Sequence, residues 1–393
     1  MRKRLAIVTS HPIQYYAPIF RLLQQRGEVD IMVFYTWGEQ SAKKYDPGFG
    51  ATVSWDIPLL DGYPYTWVEN VSADPGTHHY KGIANPKLTQ QISDWKPDAI
   101  MVIGWAWQSH LKVMRYFKGK VPVYFRGDST LLAEPGGIKR LVKSIFLKWV
   151  YKHADIAFYV GTNNKAYFKK YGLKEDQLIF APHAIDNDRF GQDFSTQANE
   201  LRSSLNVKPE EIVVLFAGKF EPVKNVELLV SAFIKLNRPD THLLLVGNGP
   251  LENRLKELAL GSRNIHFRGF TNQSEIPGVY QACDLFCLPS VSESWGLAVN
   301  EAMACGRAVL VSDTVGCAAD LVNEGYNGLV FKSGDAQALI SSLTELTQSK
   351  DELIKFGKKS RSMIQEWSFE KIAEAIENTL CKKITSEDMP VKK

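Results

Sequence analysis

The segment DLFCLPSVSESWGLAVNEAMACG, residues 284–306, joins an apolar strand, a polar loop and a helix in that order. The strand ends at Pro289, Glu293 lies in the loop, and Glu301 lies on the second turn of the helix that Gly296 opens. Parallel sheets bind ligands outside the carboxyl ends of their strands, and free N–H groups at a helix start attract phosphate. The segment therefore predicts a ligand site in which two carboxylates accept hydrogen bonds from sugar or ribose hydroxyls. Taken alone, the two glutamates would be a loop carboxylate and a solvated or capping helix residue.

The same strand-to-helix rhythm extends from this segment in both directions. Short apolar runs that indicate buried parallel strands lie at 5–9, 31–35, 99–103, 121–125, 156–160 and 178–180, and again at 212–216, 242–246, 265–267 and 308–311. Helical patterns separate most of them, and such alternation implies doubly wound sheets with right-handed crossovers. We therefore predict the α/β class, with two Rossmann-like doubly wound parallel-sheet domains facing a cleft.

Domain boundaries follow from the length and from the breaks in this rhythm. A chain of 393 residues suits two domains. We predict one domain at 1–187, a second at 188–366, and over 367–393 a helix that packs back towards the first domain, followed by a loose tail. The polar stretch 191–199 is interpreted as the linker, and 38–82, rich in Gly, Pro, Asp and aromatic residues, as an irregular insertion.

The composition excludes several classes of protein. The net charge of +4, from 47 basic and 43 acidic residues, is small for a nucleic-acid-binding protein, so no nucleic-acid partner is expected. The five cysteines form no CxxC pair and are interpreted as small buried residues rather than metal ligands. The apolar run at 5–8 is too short for a signal peptide, and no run approaches the roughly 18 residues of a membrane span. A cytoplasmic location is therefore expected.

Other segments of the second half suit a nucleotide. In FAGKFEPVKN, residues 216–225, Lys219 and Lys224 flank a strand-to-helix turn, where two compact cations suit a diphosphate. VGNGP at 246–250 and HFRGF at 266–270 follow at later strand ends, and the backbone of the second could read a base edge. Each segment alone is also compatible with surface lysines or a tight turn.

Taken in order, these segments resemble the glycosyl transferases group 1, the family-four retaining glycosyltransferases. The family pattern has a glycine-lysine turn with a second lysine, a GxGP turn, a loop before Gly-Phe, and two glutamates around an aromatic-Gly-Leu step. The matching residues here are Gly218, Lys219, Lys224, Gly247 to Pro250, Arg268 to Phe270, Glu293, Trp295 to Leu297, and Glu301. The stretches 181–190, 327–331 and 367–376 also fit, so the resemblance covers most of residues 180–380.

The resemblance implies a GT-B fold, with an acceptor-binding N-terminal domain and a nucleotide-sugar-binding C-terminal domain. It implies transfer of a sugar from a nucleotide diphosphate donor, with a UDP-sugar favoured, to an acceptor hydroxyl with retention, in the biosynthesis of bacterial polysaccharides or glycolipids. Lys219 and Lys224 would hold the diphosphate, Glu301 the ribose, and Glu293 would be the catalytic residue at the donor sugar. No metal or other cofactor is expected, because lysines and helix N-termini neutralise the leaving diphosphate. The expected donor-binding residues are Gly218, Lys219, Lys224, Asn248, Arg268, Gly269, Ser294, Trp295, Gly296, Leu297, Ala298 and Glu301.

The acceptor side departs from the family pattern. Many members place glycines after the first strand, where this chain has Ser10-His11-Pro12, and many carry a histidine where it has Phe125 to Ser129. Asp128 and His11 are the catalytic candidates here, because each follows a strand and could orient or deprotonate an acceptor hydroxyl. Arg126 could pair with a charged ligand group or form a structural ion pair with Asp128. Lower-ranked candidates are His110 and His183.

One segment, 137–153, is strongly basic. It holds five cations and no acid, with apolar residues between them at near-helical spacing. It predicts either a surface helix with one buried face or a helix that docks on an anionic membrane carrying a lipid-linked acceptor. The expected partners are a nucleotide-sugar donor, a sugar or lipid-linked saccharide acceptor and, under the second interpretation, the cytoplasmic face of a membrane. The cations are Lys139, Arg140, Lys143, Lys148 and Lys152.

Other functions fit parts of this pattern. A nucleotide-sugar epimerase or a catalytically silent sugar-nucleotide-binding partner could use the same fold. The departures from the family pattern near His11 and Asp128 leave the catalytically silent protein as an open alternative. Lys219 and Lys224, together with the intact pair of glutamates, favour the transferase. A Rossmann oxidoreductase would carry GxGxxG after a first strand, whereas Thr9-Ser10-His11 stands where the first glycines belong.

Overall fold

The computed structural model describes residues 2–42, 44–46, 51–132, 134 and 137–381. The elements of the first half are β1 (Lys3–Thr9), α1 (Ala17–Arg26), β2 (Val29–Tyr35), β3 (Lys44–Asp46), β4 (Ala51–Val53), β5 (Tyr65–Trp67), α2 (Leu88–Trp95), β6 (Ala99–Ile103), α3 (Gln108–Phe117), β7 (Val123–Arg126), α4 (Ile138–Tyr151), β8 (Ile156–Tyr159), α5 (Thr162–Lys170) and β9 (Leu178–Phe180). Those of the second half are α6 (Asn187–Gly191), α7 (Ser195–Ser204), β10 (Ile212–Ala217), α8 (Val226–Leu236), β11 (Thr241–Val246), α9 (Glu252–Leu258), β12 (Ile265–Arg268), α10 (Ile276–Gln281), β13 (Leu285–Leu288), α11 (Leu297–Ala304), β14 (Ala308–Ser312), α12 (Ala318–Leu321), β15 (Gly328–Phe331), α13 (Ala336–Leu346), α14 (Lys350–Met363) and α15 (Phe369–Cys381).

Each half of the chain builds one parallel sheet. The N-terminal sheet has seven strands in the order β5-β2-β1-β6-β7-β8-β9, and the C-terminal sheet has six in the order β12-β11-β10-β13-β14-β15. Strands such as β6 and β10 are buried along their whole length, because sheets of this kind are covered on both faces, and this explains their unbroken apolar runs. The predicted class, with two doubly wound Rossmann-like domains, is confirmed. Strand order reverses between β1 and β6 and between β10 and β13, so each carboxyl edge has a switch point that suits a ligand.

Helix α15 lies on the N-terminal domain although it is the last described element. Its apolar residues Ile372, Ile376 and Leu380 join the core of that domain. Arg26 of α1 donates from Nε to both carboxylate oxygens of Glu377 at 3.0 Å. The domain boundaries at 187/188 and 366/367 stay predictions, and the tail expected beyond the helix lies outside the described residues.

Several stretches differ from the sequence-based expectations. Within 38–82, the segment Tyr65–Trp67 forms an edge strand parallel to β2. The sequence does not reveal this strand, because only three residues pair and so short a run gives no readable period. The linker expected at 191–199 contains the start of α7, whose pattern is weak since Ala198 is its one buried residue. Helix α5 was not predicted, and three of its nine residues are buried.

Two expectations from composition concern the burial of the cysteines and the presence of a membrane span. Four cysteines are free and buried, as expected, whereas Cys381 at the end of α15 is free and exposed. Along the described part of the chain, no helix is both long enough and apolar enough to cross a membrane.

Candidate functional site

A cavity of about 530 Å³ lies where loops from the carboxyl edges of the two sheets meet. Its walls come from loops that follow β1, β7 and β9 of the N-terminal sheet and β10, β11, β12 and β13 of the C-terminal sheet, together with Trp55 from the segment after β4. This is the place at which doubly wound sheets bind ligands. The predicted site residues that line the cavity are Asp128, Gly218, Lys219, Lys224, Glu293, Ser294, Trp295, Gly296, Leu297, Ala298 and Glu301.

The remaining predicted residues do not line the cavity. The Asn248 side chain accepts a hydrogen bond from the backbone N–H of Phe270 at 2.6 Å and so fixes the loop after β12. Arg268, from the end of β12, pairs with Glu275 at 3.2 Å. The His11 ring is bonded through Nδ1 to the hydroxyl of the preceding serine at 2.9 Å. The predicted residues absent from the cavity lining are His11, Asn248, Arg268 and Gly269.

Lys224 and Glu293 form an ion pair in the cavity wall, between Lys224 Nζ and Glu293 Oε2. Both side chains are mostly buried, with 22% and 18% of their surface exposed. Lys224 ends a short turn after β10, whereas Glu293 lies in the loop after β13. The segment after β14 holds the backbone of this loop, because the N–H of Gly316 donates to the carbonyl oxygen of Glu293 at 3.0 Å. A diphosphate that binds Lys224 would therefore compete with this carboxylate.

The first turn of α11 presents backbone to the cavity. Gly296 has a φ of 100°, a backbone conformation that favours glycine, and a Cβ there would also crowd a methyl group of Val315 at 3.0 Å. Trp295 is turned inward, and its Nε1 donates to Asn300 Oδ1 at 2.9 Å. The N–H groups of a first helical turn lack intrahelical partners and carry partial positive charge. This end of the helix therefore suits a phosphate.

Glu301 is a buried carboxylate between two tyrosines from different domains. It accepts hydrogen bonds from Tyr15 Oη at 3.0 Å and from Tyr280 Oη at 2.8 Å. Burial raises the pKa of Glu301, and burial also raises the pKa of both tyrosines. Glu301 is a buried carboxylate that accepts hydrogen bonds from two tyrosine hydroxyls, and the hydroxyl groups of a ribose could donate to it in the same way. The sequence interpretation missed both tyrosines.

Asp128 lies at the N-terminal side of the cavity and reaches across it. Its Oδ2 accepts a hydrogen bond at 2.8 Å from the hydroxyl of Ser294, the residue that follows Glu293 in the chain. The same oxygen lies 3.9 Å from His183 Nε2. Burial lowers the pKa of His183 to about 4, so the imidazole is neutral near pH 7. The ring centroid of His183 lies 6.2 Å from that of Tyr16 and 6.0 Å from that of Trp295. The lower-ranked His183 thus lines the cavity, whereas His11 does not.

Arg126 and His110 hold the framework behind the cavity. The buried guanidinium of Arg126 donates to the carbonyl oxygens of Ala181 at 2.9 Å and Pro182 at 2.7 Å. Those bonds fix the segment that carries His183. Pairing of Arg126 with a charged ligand group or with Asp128 stays a prediction. His110 bonds to the Thr36 hydroxyl at 2.8 Å, and burial lowers its pKa to about 4.

One group of potential metal ligands lies away from these residues. Asp74, His78 and His79 have ligand atoms within 4.8 Å of one another in the loop after β5, and the first two are exposed. His78 Nε2 and His79 Nε2 lie 3.1 Å and 3.2 Å from Asp74 Oδ2. The sequence interpretation did not foresee this group.

Comparison with known proteins gives similarities in sequence and in fold. Residues 197–363 match the family described as "Glycosyl transferases group 1". The chain is 27% identical over 309 residues to the sulfoquinovosyl transferase SQD2 of Arabidopsis thaliana, with 75% of this chain and 58% of that protein covered. It is 31% identical over 219 residues to the D-inositol 3-phosphate glycosyltransferase of Nocardia farcinica (strain IFM 10152), covering 52% of this chain and 48% of that protein. The chain thus spans about half the length of these relatives.

The fold is similar to that of Anabaena Alr3699/HepE in complex with UDP. The TM-score is 0.72 at 19% identity, and the match covers 97% of this chain and 99% of that one. The Anabaena protein has also been solved with UDP-glucose. At this identity the likeness concerns the fold alone, and it confirms the GT-B fold that the sequence resemblance implies.

Proposed function

We propose that this chain, a member of the glycosyl transferases group 1 family with the GT-B fold, transfers a sugar from a nucleoside diphosphate sugar to an acceptor hydroxyl. The donor nucleotide that we favour is UDP, and the transfer retains the configuration of the anomeric carbon. The observation that carries the proposal is the convergence of Lys224, the first turn of α11 and the carboxylates of Glu293 and Glu301 on one cavity. Cations and a helix start suit a diphosphate, while carboxylates suit the hydroxyls of ribose and sugar.

Each donor-side group has one role in this proposal. Lys219, Lys224 and the helix start stabilise the negative charge that grows on the leaving diphosphate. The reaction that we propose therefore needs no metal ion. Glu301 binds the ribose hydroxyls, and Glu293 contacts the donor sugar beside the bond that breaks.

The acceptor side uses the N-terminal domain. Asp128 faces Ser294 across the cavity, next to the proposed sugar position, and can orient an acceptor hydroxyl there. The leaving diphosphate takes the proton of that hydroxyl on the same face of the sugar, which gives retention. The prediction that His11 is catalytic has no comparable support, because His11 lies outside the cavity lining.

The acceptor that we propose is a sugar or a lipid-linked saccharide presented at a membrane surface. Helix α4 exposes 63% of Leu141, 63% of Val142 and 65% of Ile145, while Val150 and Tyr151 of the same helix are buried. A helix that is apolar on its outer face as well as its inner face is typical of docking on another apolar phase. We therefore propose peripheral contact through 137–153 at the cytoplasmic face of the membrane, in polysaccharide or glycolipid biosynthesis.

Thermal unfolding with a panel of nucleotides and nucleotide-sugars tests the donor site. We expect UDP and UDP-sugars to raise the melting temperature in EDTA, because a ligand at about 100 times its Kd stabilises a protein by about 2.7 kcal/mol. The same panel with magnesium should give the same shifts. Stabilisation that requires magnesium would contradict the metal-independent mechanism, and a panel without any shift would contradict the donor site.

A further inference from the structure

One part of the cavity lies at the loop after β12. There its wall contains Phe270, Thr271 and Gln273 of the C-terminal domain and, from the N-terminal domain, Trp55. The two lysines of the lining belong to the loop after β10, whereas this part of the wall, the aromatic end, carries two aromatic rings. If Glu301 binds ribose and Lys224 binds phosphate, as proposed above, the aromatic end is where the base of the nucleotide extends.

Trp55 is held at this end by hydrogen bonds on both sides of it. The Asn272 side chain donates to the carbonyl oxygen of Ser54 at 2.8 Å. The carboxylate of Asp56 accepts from the backbone N–H of Ser274 at 3.1 Å and also from its hydroxyl. Three consecutive residues of the N-terminal domain are thus fastened to the loop that forms the far wall. The ring centroid of Trp55 lies 6.1 Å from that of Phe270.

We propose that Trp55 is a base-binding residue, which packs its indole against the nucleobase of the donor from the domain opposite the rest of the nucleotide site. An aromatic face attracts a flat base through stacking, and every base offers such a face. The segment 38–82, which the sequence indicates only as an irregular insertion, acquires a role in this way: it supplies one wall of the donor site. Because that wall belongs to the other domain, base binding also favours the closed arrangement of the two domains.

Contact with the acceptor is the competing role for Trp55, since the residue belongs to the acceptor domain. The described contacts argue against it. Trp55 and its neighbours touch the loop 270–274, whereas the proposed acceptor residue Asp128 touches Ser294 and His183. The two residues therefore contact different segments of the cavity wall.

Titration calorimetry with UDP and with inorganic pyrophosphate tests this inference, which rests on the proposed function. We expect Trp55→Leu to weaken UDP binding about tenfold and to leave pyrophosphate binding unchanged, because pyrophosphate has no base. Trp55→Phe should restore most of the affinity for UDP, since it restores a ring. Tyr80→Ala, in the same insertion and 46% exposed, is the matched control and should bind UDP like the wild type.

The outcomes separate this inference from the proposed function. Unchanged UDP binding by Trp55→Leu overturns the inference and leaves the proposed function standing. Equal losses for UDP and pyrophosphate also overturn it, because they indicate a structural role for the indole. If the wild type itself does not bind UDP, the proposed function fails first. A loss of acceptor affinity alone assigns Trp55 to the acceptor and overturns the inference as well.

Discussion

The ion pair between Lys224 and Glu293 joins two residues to which the sequence interpretation gives separate tasks. The pair is formed across a separation of 69 residues, in a wall where each side chain is largely shielded from water. Each charge compensates the other while no donor is bound. Since a charge that loses its partner in a shielded site is costly, the two residues cannot be altered independently.

Replacing Lys224 with Ala should weaken UDP binding roughly 10- to 100-fold, since a hydrogen bond to a charged group contributes about 1.5–3 kcal/mol. Part of the loss comes from Glu293, whose unpaired carboxylate then repels the diphosphate. The double variant Lys224→Ala with Glu293→Gln should therefore bind UDP more tightly than Lys224→Ala alone. Calorimetry in EDTA measures both effects, and unchanged affinity of the single variant would remove Lys224 from the diphosphate site.

The sequence indicated which residues line the cavity where those residues follow a strand in the chain. Lys219, Lys224 and Glu293 lie on loops directly after β10 and β13, and Glu301 lies on the second turn of the helix that follows β13. Strand ends of this kind can be read from the sequence. Tyr15 was not predictable in this way, because its contact with Glu301 depends on how one domain sits on the other.

Helix α4 exposes several large apolar side chains among the described residues. Its side chains Leu141, Val142 and Ile145 are each more than 60% exposed, whereas a surface helix normally turns polar residues outward. Exposed Arg140, Lys148 and Lys152 accompany them. Apolar residues and cations together are typical of helices that lie on an anionic bilayer.

One cation of this segment has a structural partner. Lys143 pairs at 3.0 Å with Glu134, a carboxylate that also binds Lys170 and Tyr171. Burial would raise the pKa of Glu134, but these hydrogen bonds outweigh it and lower the pKa to about 2. A charge reversal at Lys143 would therefore disturb the domain itself, and the side chain of Lys139 lies outside the described residues.

The substitution Ile145→Glu should abolish most binding to vesicles of phosphatidylglycerol and phosphatidylcholine, because burial of a large apolar side chain contributes about 1.5–3 kcal/mol. Vesicle flotation at low salt measures the bound fraction. The wild type should bind less to pure phosphatidylcholine, since each cation near an anionic surface contributes about 1 kcal/mol. UDP binding should not change, as Ile145 is outside the cavity lining.

Leu260→Glu is the matched control for this test. Leu260 is 81% exposed and lies in the C-terminal domain, so the same change in charge and polarity is made away from α4. Equal vesicle binding by wild type, Leu260→Glu and Ile145→Glu would contradict a membrane-facing α4. A self-association of the wild type that Ile145→Glu removes would assign the surface to a second copy of the chain instead.

Elements were predictable when they had a strong pattern and enough length. The core strands β1, β6, β10 and β13 are continuous apolar runs, and their predicted positions agree with the structure to within two residues. Element β5 has three residues and α7 has one buried residue, so neither gives a readable period. Such elements form because tertiary neighbours hold them.

At the scale of the whole molecule, the two domains are in contact around the cavity. Thr162 donates from its N–H and hydroxyl to Asp320 of the other domain, with the hydroxyl at 2.7 Å. Gly161 permits this approach, because a Cβ there would lie 2.4 Å from the Trp295 ring. Residues of both domains therefore line one cavity, as a transfer between two substrates requires.

The two sheets were predictable from the sequence, but their mutual placement was not. Sheet order follows from alternation and right-handed connection, which are local rules. The contact between the domains depends on single side chains such as Asp320, and no periodic pattern encodes them.

The release of UDP from UDP-sugars in EDTA is the measurement that tests the central claim most directly. The wild type should release UDP slowly to water and faster with an acceptor, and Glu293→Gln should lower the rate by about 100-fold, or about 2.7 kcal/mol, while it still binds UDP. An enzyme that converts the sugar without net release of UDP would be an epimerase. A chain that binds UDP-sugars and never turns them over, or a rate unaffected by Glu293→Gln, would contradict a transferase whose reacting sugar lies at Glu293.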